Sequence, residues 1–245
     1  MSKLYTDLAE IYEAMYSSFI DYKAEFEFYE SILKRYDRKE ILELGSGIGH
    51  LGDFFQKNGF EYSGIDLSEE MVKIAEKKYL ECKFLKGDIR FFKLSKQVES
   101  IIMVGRTISY LLTNKDVLST CKNVYNNLER KGIFSFDFID AEEFIPSIQN
   151  GKEILHNASY GNEEYLRKSI WSIDLDKGMT FNWESHYFKK TKNGLKEIGT
   201  DNSVIRTFTR EEIRIFLELN NFKIKEILPK ESYAFPTYVI VAEKR

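Results

Sequence analysis

The sequence is poor in the residues that build secreted or membrane-spanning proteins. Its 245 residues include 2 Cys, 3 Pro and 3 His, and its longest apolar runs cover only four or five residues, such as 101–104 and 238–242. A membrane-spanning helix needs about 20 apolar residues, and the first residues lack the apolar core of a secretory leader. Cys82 and Cys121 lie far apart and form no CxxC pair. This pattern favours free thiols and a cytoplasmic location.

The sequence also lacks an excess of charge and a metal-binding pattern. Lys and Arg number 36 against 39 Asp and Glu, so no strong positive field would attract nucleic acid or an anionic membrane. His50, His156 and His186 occur singly, without the close His or Cys partner that zinc sites use. We therefore expect no metal, no nucleic acid and no membrane partner. With 43% apolar and 31% charged residues, the chain should fold as a packed globule.

Hydrophobic periodicity divides the chain into four parts of one domain covering residues 1–245. Apolar residues recur at helical spacing up to Tyr36, which predicts a helical lid over 1–38. Short apolar runs then alternate with helical patterns over 39–145, which predicts a core made of a parallel sheet with crossover helices. The predicted strands of this core are 41–44, 62–65, 83–85, 101–104 and 133–138.

Two-residue alternation dominates 154–208 and predicts an antiparallel β insertion. We expect three strands there, over 164–175, 179–189 and 195–208, with turns at 176–178 and 191–194. Residues 209–245 should close the domain. Thr209 and Glu212 have the spacing of a capping box at the start of a helix, and antiparallel strands are predicted over 222–228 and 238–243.

The most informative motif is a glycine-rich turn that follows the first predicted strand. Gly45, Gly47 and Gly49 alternate directly after an apolar run, so the backbone can bend sharply and approach a ligand at the strand's carboxyl end. Asp66 ends the second strand 19 residues after Gly47. A carboxylate at that distance suits hydrogen bonding to ribose hydroxyls.

Several functions share such a turn. It could be only a structural strand-to-helix connection, or it could bind a nicotinamide dinucleotide. However, His50 occupies the position of that fingerprint's third small residue, and dinucleotide binding gives no role to Glu43. An oxidoreductase thus remains an alternative, as does a regulatory module that binds a cofactor without turning it over.

Residues 42–49, an apolar residue and Glu43 followed by the glycine turn, resemble the first motif of class I S-adenosylmethionine-dependent methyltransferases. The resemblance implies an α/β fold with a doubly wound, seven-stranded, mostly parallel Rossmann-like sheet. It also implies that Asp66 binds the cofactor's ribose, Leu67 packs on adenine, and Asp88 with the Ile89 amide contacts the adenine ring.

The helical lid adds a second likeness. Residues 8–16, with Tyr12 and Tyr16, and the pair Asp21-Tyr22 are similar to the start of sugar-amine N-methyltransferases. The likeness implies that these tyrosines reach the methionine carboxylate or the substrate. Together the resemblances imply S-adenosyl-L-methionine as cofactor and the following binding residues: Tyr12, Tyr16, Tyr22, Glu43, Gly45, Ser46, Gly47, Gly49, Asp66, Leu67, Met71, Asp88, Ile89, Val104 and Gly105.

The predicted function is transfer of a methyl group by in-line displacement to a small-molecule amine or hydroxyl. Residues 99–111 are similar to the fourth-strand segment of small-molecule methyltransferases, and Arg106, Tyr110, Trp183 and His186 are the candidate substrate residues. No catalytic base is assigned, which favours nitrogen as the acceptor, since a neutral amine attacks unaided. A methyltransferase acting on RNA or protein is the alternative within this class, and the insertion offers a face for a homodimer.

Overall fold

The helices and strands follow the alternation seen in the sequence. The computed structural model describes residues 15–18, 20–149, 151–160, 162–174, 178–232 and 235–245. The helices are α1 (Tyr22–Arg35), α2 (His50–Lys57), α3 (Glu69–Lys78), α4 (Asn114–Asn127), α5 (Ala141–Ser147) and α6 (Arg210–Leu219), with a 3₁₀ helix at Thr107–Tyr110. The strands are β1 (Glu40–Leu44), β2 (Glu61–Asp66), β3 (Lys83–Lys86), β4 (Val98–Met103), β5 (Leu128–Ile139), β6 (Glu153–Tyr160), β7 (Glu163–Asp174), β8 (Thr180–Thr191), β9 (Gly194–Arg206), β10 (Phe222–Lys230) and β11 (Thr237–Lys244).

Seven strands form one sheet in the order β10-β11-β5-β4-β1-β2-β3. Strands β1 to β5 run parallel to one another, and β11 is antiparallel to both β5 and β10. This confirms the predicted doubly wound, mostly parallel sheet. The strand order reverses beside β1, which pairs with β2 on one side and β4 on the other. A crevice opens at such a reversal, outside the carboxyl ends of the strands.

Side-chain alternation along the strands creates one apolar layer on each face of the sheet. Leu42 and Leu44 face α4 and α6, whereas Ile41 faces α1, α2 and α3. Burial on both faces explains why β1 reads as a nearly continuous apolar run. This double packing fixes the carboxyl end of β1, where the glycine turn begins.

The insertion is a separate sheet in the order β6-β7-β8-β9, all antiparallel. The expectation of three strands was therefore wrong. Strand β6 escaped prediction because adjacent Ile154 and Leu155 break its two-residue alternation. The turn between Thr191 and Gly194 is confirmed, while residues 175–177 of the other predicted turn lie outside the described residues.

Local capping sets where the helices begin. The Asp21 carboxylate accepts the Ala24 amide and starts α1. Residues 15–17 are also helical, and residues 1–14 of the predicted lid lie outside the described residues. The capping box of Thr209 and Glu212 is present at α6. Helix α5 was not predicted. None of the described helices is both long and apolar enough to cross a membrane.

Candidate functional site

The glycine turn is held by the neighbouring strand. The amides of Gly45 and Ser46 both donate to the Ile65 carbonyl, at 2.7 and 3.1 Å, and the Gly47 amide donates to Asp66 Oδ2 at 2.8 Å. The three turn glycines have positive φ angles of 76°, 54° and 83°. The left-handed conformation is the one that glycine adopts without steric cost, so the turn depends on these residues.

The three glycines differ in what lies beside them. A β-carbon at Gly45 would come within 2.6 Å of the Thr107 side chain, and one at Gly49 within 2.5 Å of the Phe84 ring. A β-carbon at Gly47 would meet nothing within 4 Å. Gly45 and Gly49 therefore allow close packing inside the protein, and only Gly47 leaves space open to a ligand.

Asp66 is organised by backbone amides. Its Oδ2 accepts from Gly47, and its Oδ1 accepts from Ser68 at 2.8 Å. Burial raises the pKa of Asp66, while these hydrogen bonds act in the opposite direction. Beside it, Leu67 is 48% exposed, whereas Met71 is buried against Ile48 under the turn. Asp66 and Leu67 thus form an accessible shelf, and Met71 supports it from below.

Asp88 has protein partners of its own. The Arg90 guanidinium donates to both of its oxygens and also to Asp116 Oδ1, and this ion pairing lowers the pKa of Asp88. Ile89 is half-buried against the core. These contacts support a structural role for Asp88 beside the adenine role implied by the resemblance.

A cavity of about 520 Å³ opens beyond the glycine turn. It is lined by residues of α1 and its N-terminus, the glycine turn, the end of β4, and the ends of β5 and β10. Eight predicted residues line it: Tyr22, Glu43, Gly45, Ser46, Gly47, Val104, Gly105 and Arg106.

Other predicted residues lie elsewhere. Tyr16 is buried under the Arg167 guanidinium, and Trp183 packs in an aromatic cluster with Phe144 and Phe235. His186 lies on the opposite face of β8 from Trp183, between Glu184 and Glu197, which raise its pKa. Tyr110 is 42% exposed in the 3₁₀ helix, and Tyr12 lies outside the described residues. None of these is among the residues that line the cavity.

The cavity also contains an ionic cluster that sequence reasoning missed. The Lys230 ammonium donates to Glu25 Oε2 at 2.6 Å and to Asp137 Oδ2 at 3.0 Å. The side chains of Lys230 and Asp137 are only 7% and 2% exposed. The three residues come from α1, β5 and β10, so the cluster joins the lid helix to the sheet.

One sequence signal could have revealed part of this cluster. Asp137 stands between Phe136 and Phe138 inside a buried strand, and a charge in such a run is rarely buried without a partner. Glu25 and Lys230 carry no comparable signal, because each lies among several exposed charged residues in the sequence.

Asp137 also fixes the loop that follows β4. Its Oδ1 accepts the Arg106 amide at 2.6 Å, and Arg106 has a left-handed φ of 62°. The Arg106 guanidinium binds Ser232 and stacks 5.1 Å from the centre of the Phe235 ring. Arg106 therefore lines the cavity with its side chain tied to the segment after β10.

Glu43 is a buried acid at the base of the cavity. Tyr62 donates to Glu43 Oε2 at 2.5 Å. Burial raises the pKa of Glu43 to about 8, and the Tyr62 hydrogen bond only partly offsets this. Glu43 is thus predominantly neutral at pH 7. No group of three or more acidic, His or Cys side chains suited to a metal occurs in the described ranges.

The cavity lining as a whole is acidic. Among the described residues it contains five carboxyl groups and two cationic groups, namely Asp21, Glu25, Glu43, Asp137 and Glu231 against Arg106 and Lys230. Even with Glu43 neutral, carboxylates outnumber cations by two. Asp21 and Glu231 are exposed, so the excess of negative charge is carried by the exposed part of the lining. Such an excess favours the approach of a positively charged ligand.

Comparisons with known proteins agree with this geometry. A family model described as "Methyltransferase domain" matches residues 41–132, which contain the glycine turn, Asp66 and Asp88. This part of the chain is therefore similar to a methyltransferase domain. The fold of the chain is shared with CalS10 from Micromonospora echinaspora, a SAM-bound amino pentose methyltransferase, at a TM-score of 0.81 and 18% identity over 96% of this chain and 97% of that one.

The curated sequence relatives are named as methyltransferases. A putative methyltransferase, YqeM of Bacillus subtilis (strain 168), is 34% identical over 105 residues, 41% of this chain and 42% of that protein. A dTDP-3-amino-3,4,6-trideoxy-alpha-D-glucopyranose N,N-dimethyltransferase of Streptomyces venezuelae is 24% identical over 187 residues, 71% of this chain and 79% of that protein. The matched regions cover 42% and 61% of the first two curated relatives.

The described residues fit S-adenosylmethionine, the molecule bound in the CalS10 structure. Space for a ligand begins where a Gly47 β-carbon would project, and the Asp66 shelf lies next to it. The acidic cavity continues on the other side of the turn. The protein therefore offers a complementary surface to each end of a nucleoside with a cationic tail.

Proposed function

We propose that this protein transfers a methyl group from S-adenosylmethionine to an amine of a small molecule. The observation that carries the proposal is the excess of carboxylates in the cavity next to the glycine turn. A hydroxyl acceptor is neutral and would gain little from such a lining, whereas an ammonium would be attracted to it.

Charge counting supports the amine. S-adenosylmethionine bears a sulfonium, an ammonium and a carboxylate, so it brings one net positive charge. With Glu43 neutral, the four remaining carboxylates and two cations of the lining leave two negative charges. A negative excess therefore remains after cofactor binding, and although solvent screens the exposed Asp21 and Glu231, it still attracts a cationic acceptor.

We assign the cofactor to the two sides of the glycine turn. Asp66 would accept hydrogen bonds from the ribose hydroxyls, since each of its oxygens keeps a lone pair after binding its amide. Tyr22, Ser46, Val104 and Gly105 would surround the methionine part. When bound, the cofactor supplies an electrophilic methyl group on sulfur.

The protein's contribution is to position the acceptor and exclude water. In-line displacement requires the acceptor nitrogen roughly 3–3.5 Å from the methyl carbon and opposite sulfur. Helix α1 and the residues after β10 close the cavity around that region. The fixed backbone of Gly105 and Arg106, held by Asp137, would define how closely the nitrogen approaches.

A paired acceptor screen tests the proposal. Each candidate amine, including the amino sugar nucleotides named for the relatives, would be assayed beside its hydroxyl analogue for release of S-adenosylhomocysteine. We expect turnover with at least one small amine and none with its hydroxyl partner. Turnover of hydroxyl compounds alone, or of RNA or protein alone, would contradict it.

The alternative functions would require binding sites of other kinds. A methyltransferase acting on RNA or protein would need an open, extended surface, whereas this cavity is bounded by elements on several sides. The nicotinamide alternative gives no role to Glu43 and is not favoured by the family match. A homodimer through the insertion stays a prediction, which light scattering of the purified protein would test.

A further inference from the structure

Methylation of an amine at neutral pH poses a problem of protonation. An alkylammonium group has no lone pair with which to attack a methyl carbon, so one proton must leave first. The acidic cavity attracts the charged form of the acceptor and thereby makes this step necessary. A group within the cavity must receive the proton.

The ionic cluster contains the best-placed group. We propose that Glu25 accepts the proton from the acceptor's ammonium and that Lys230 and Asp137 position it; the inference rests on the proposed function. Glu25 lies on α1, on the lid side of the cavity, and its carboxylate is held by Lys230 at 2.6 Å. In the described part of the chain its side-chain hydrogen bond uses Oε2, so Oε1 remains to receive a proton.

The other acidic residues of the cavity are less suited to accept the proton. Asp137 already accepts one hydrogen bond on each oxygen, from Arg106 and Lys230. Glu43 lies below the glycine turn and binds Tyr62. The Asp21 carboxylate caps α1, and Glu231 is exposed. Glu25 therefore combines partial burial, a fixed position and a remaining oxygen.

The surroundings of Glu25 set its basicity. Burial and the Asp137 carboxylate raise the pKa of Glu25, whereas Lys230 and Arg106 lower it. Tyr29, one helical turn along α1, and Glu43 complete the titratable groups around it. A carboxylate with a raised pKa is a stronger base, yet Lys230 keeps it ionised enough to act.

An acceptor N–H bond breaks and its proton forms an O–H bond with Glu25, leaving the nitrogen lone pair. That pair forms the new bond to the methyl carbon as the carbon–sulfur bond breaks and its electrons return to sulfur. The products are a methylated ammonium, S-adenosylhomocysteine and protonated Glu25, which then loses its proton to solvent.

The test compares Glu25→Gln with Glu27→Gln, using the amine that the wild-type protein methylates fastest in the screen. Glu27 lies on the same helix, is exposed and pairs with Lys23, so it is a matched control. At pH 7 we expect kcat/KM of Glu25→Gln to fall roughly 100-fold or more and that of Glu27→Gln to stay within about twofold. Equal S-adenosylhomocysteine affinity, measured by calorimetry, would show that the site is intact.

The pH profile separates proton transfer from a structural effect. Activity of Glu25→Gln should rise about tenfold per pH unit toward the acceptor's own pKa, because only free amine from solution can react. With an amine that is already neutral at pH 7, the variant should match the wild type. Glu25→Asp should recover part of the activity, and Lys230→Gln should move the acidic limb to higher pH.

The outcomes are distinct. If the wild-type protein methylates no amine, the proposed function fails and this inference fails with it. If the wild type methylates an amine and Glu25→Gln keeps the wild-type rate and pH profile, only the role of Glu25 is overturned. An equal loss of activity with ammonium and neutral amines would likewise overturn proton transfer and leave a structural role.

Discussion

Gly47 and Gly59 share a backbone conformation but differ in position. Both have positive φ, and a β-carbon at either would meet nothing within 4 Å. Gly47 lines the cavity, whereas Gly59 follows α2. We expect Gly47→Ala and Gly59→Ala to lose a similar free energy of unfolding, about 1–2 kcal/mol from the left-handed conformation. Only Gly47→Ala should lose affinity for S-adenosylhomocysteine in calorimetry, and equal affinities in both variants would contradict the assigned ligand space.

The buried acid Glu43 should make the stability of the protein depend on pH. Its pKa in the folded protein is about 8, against about 4.3 in an unfolded chain, so the folded state binds the extra proton between these values. The associated stability is complete below about pH 4 and is lost as the pH rises through 8. The free energy of unfolding, measured with denaturant at several pH values, should therefore change with pH differently in the wild type and in Glu43→Gln.

For Glu43→Gln, the free energy of unfolding relative to wild type should increase from pH 5 to pH 9, because only the wild type must ionise a buried acid. Glu61→Gln, at an exposed position on β2, is the control and should keep a constant difference. A parallel dependence in wild type and Glu43→Gln would contradict the burial argument.

At this residue scale the sequence predicted some positions and missed others. Eight predicted residues line the cavity because the glycine turn and the end of β4 are local motifs with a fixed geometry. Glu25, Asp137 and Lys230 were missed because their meeting depends on the tertiary fold. Trp183 and His186 were singled out by chemistry alone, since alternation in a strand does not say which face meets the cavity.

At the scale of elements, the cap of α6 offers a direct test. The Thr209 hydroxyl accepts the Glu212 amide, and the Glu212 carboxylate accepts the Thr209 amide. Thr209→Ala should lower the free energy of unfolding by about 1 kcal/mol, whereas Thr209→Ser should retain most of it. No residue of α6 lines the cavity, so S-adenosylhomocysteine affinity should not change. A loss of affinity would contradict the separation between this helix and the site.

Helices and strands were predicted correctly where their hydrophobic periodicity was regular. Strands β1 and β2 end where the apolar runs end, and the closing strands β10 and β11 were found with only their ends extended. Strand β6 was missed because its apolar residues do not alternate cleanly. Helix α5 has only seven residues and contains Pro146, so its helical period is too short to detect.

At the scale of the whole molecule, ligand binding should raise the melting temperature. A ligand at about 100 times its Kd adds about 2.7 kcal/mol to the folded state. For a chain of this size that corresponds to roughly 5–10 °C. Differential scanning fluorimetry should show this shift with S-adenosylhomocysteine and none with NADH. A shift with NADH instead would favour the oxidoreductase alternative.

The bond between Lys230 and Glu25 joins positions 205 residues apart in the chain. During translation, α1 leaves the ribosome long before β10, and β11 must then insert between β5 and β10 to complete the sheet. A nascent chain stopped after residue 221 would contain the glycine turn and Asp66 but no Lys230. The residues assigned to the cofactor are therefore synthesised before the acceptor pocket is complete, because the pocket also needs the last two strands.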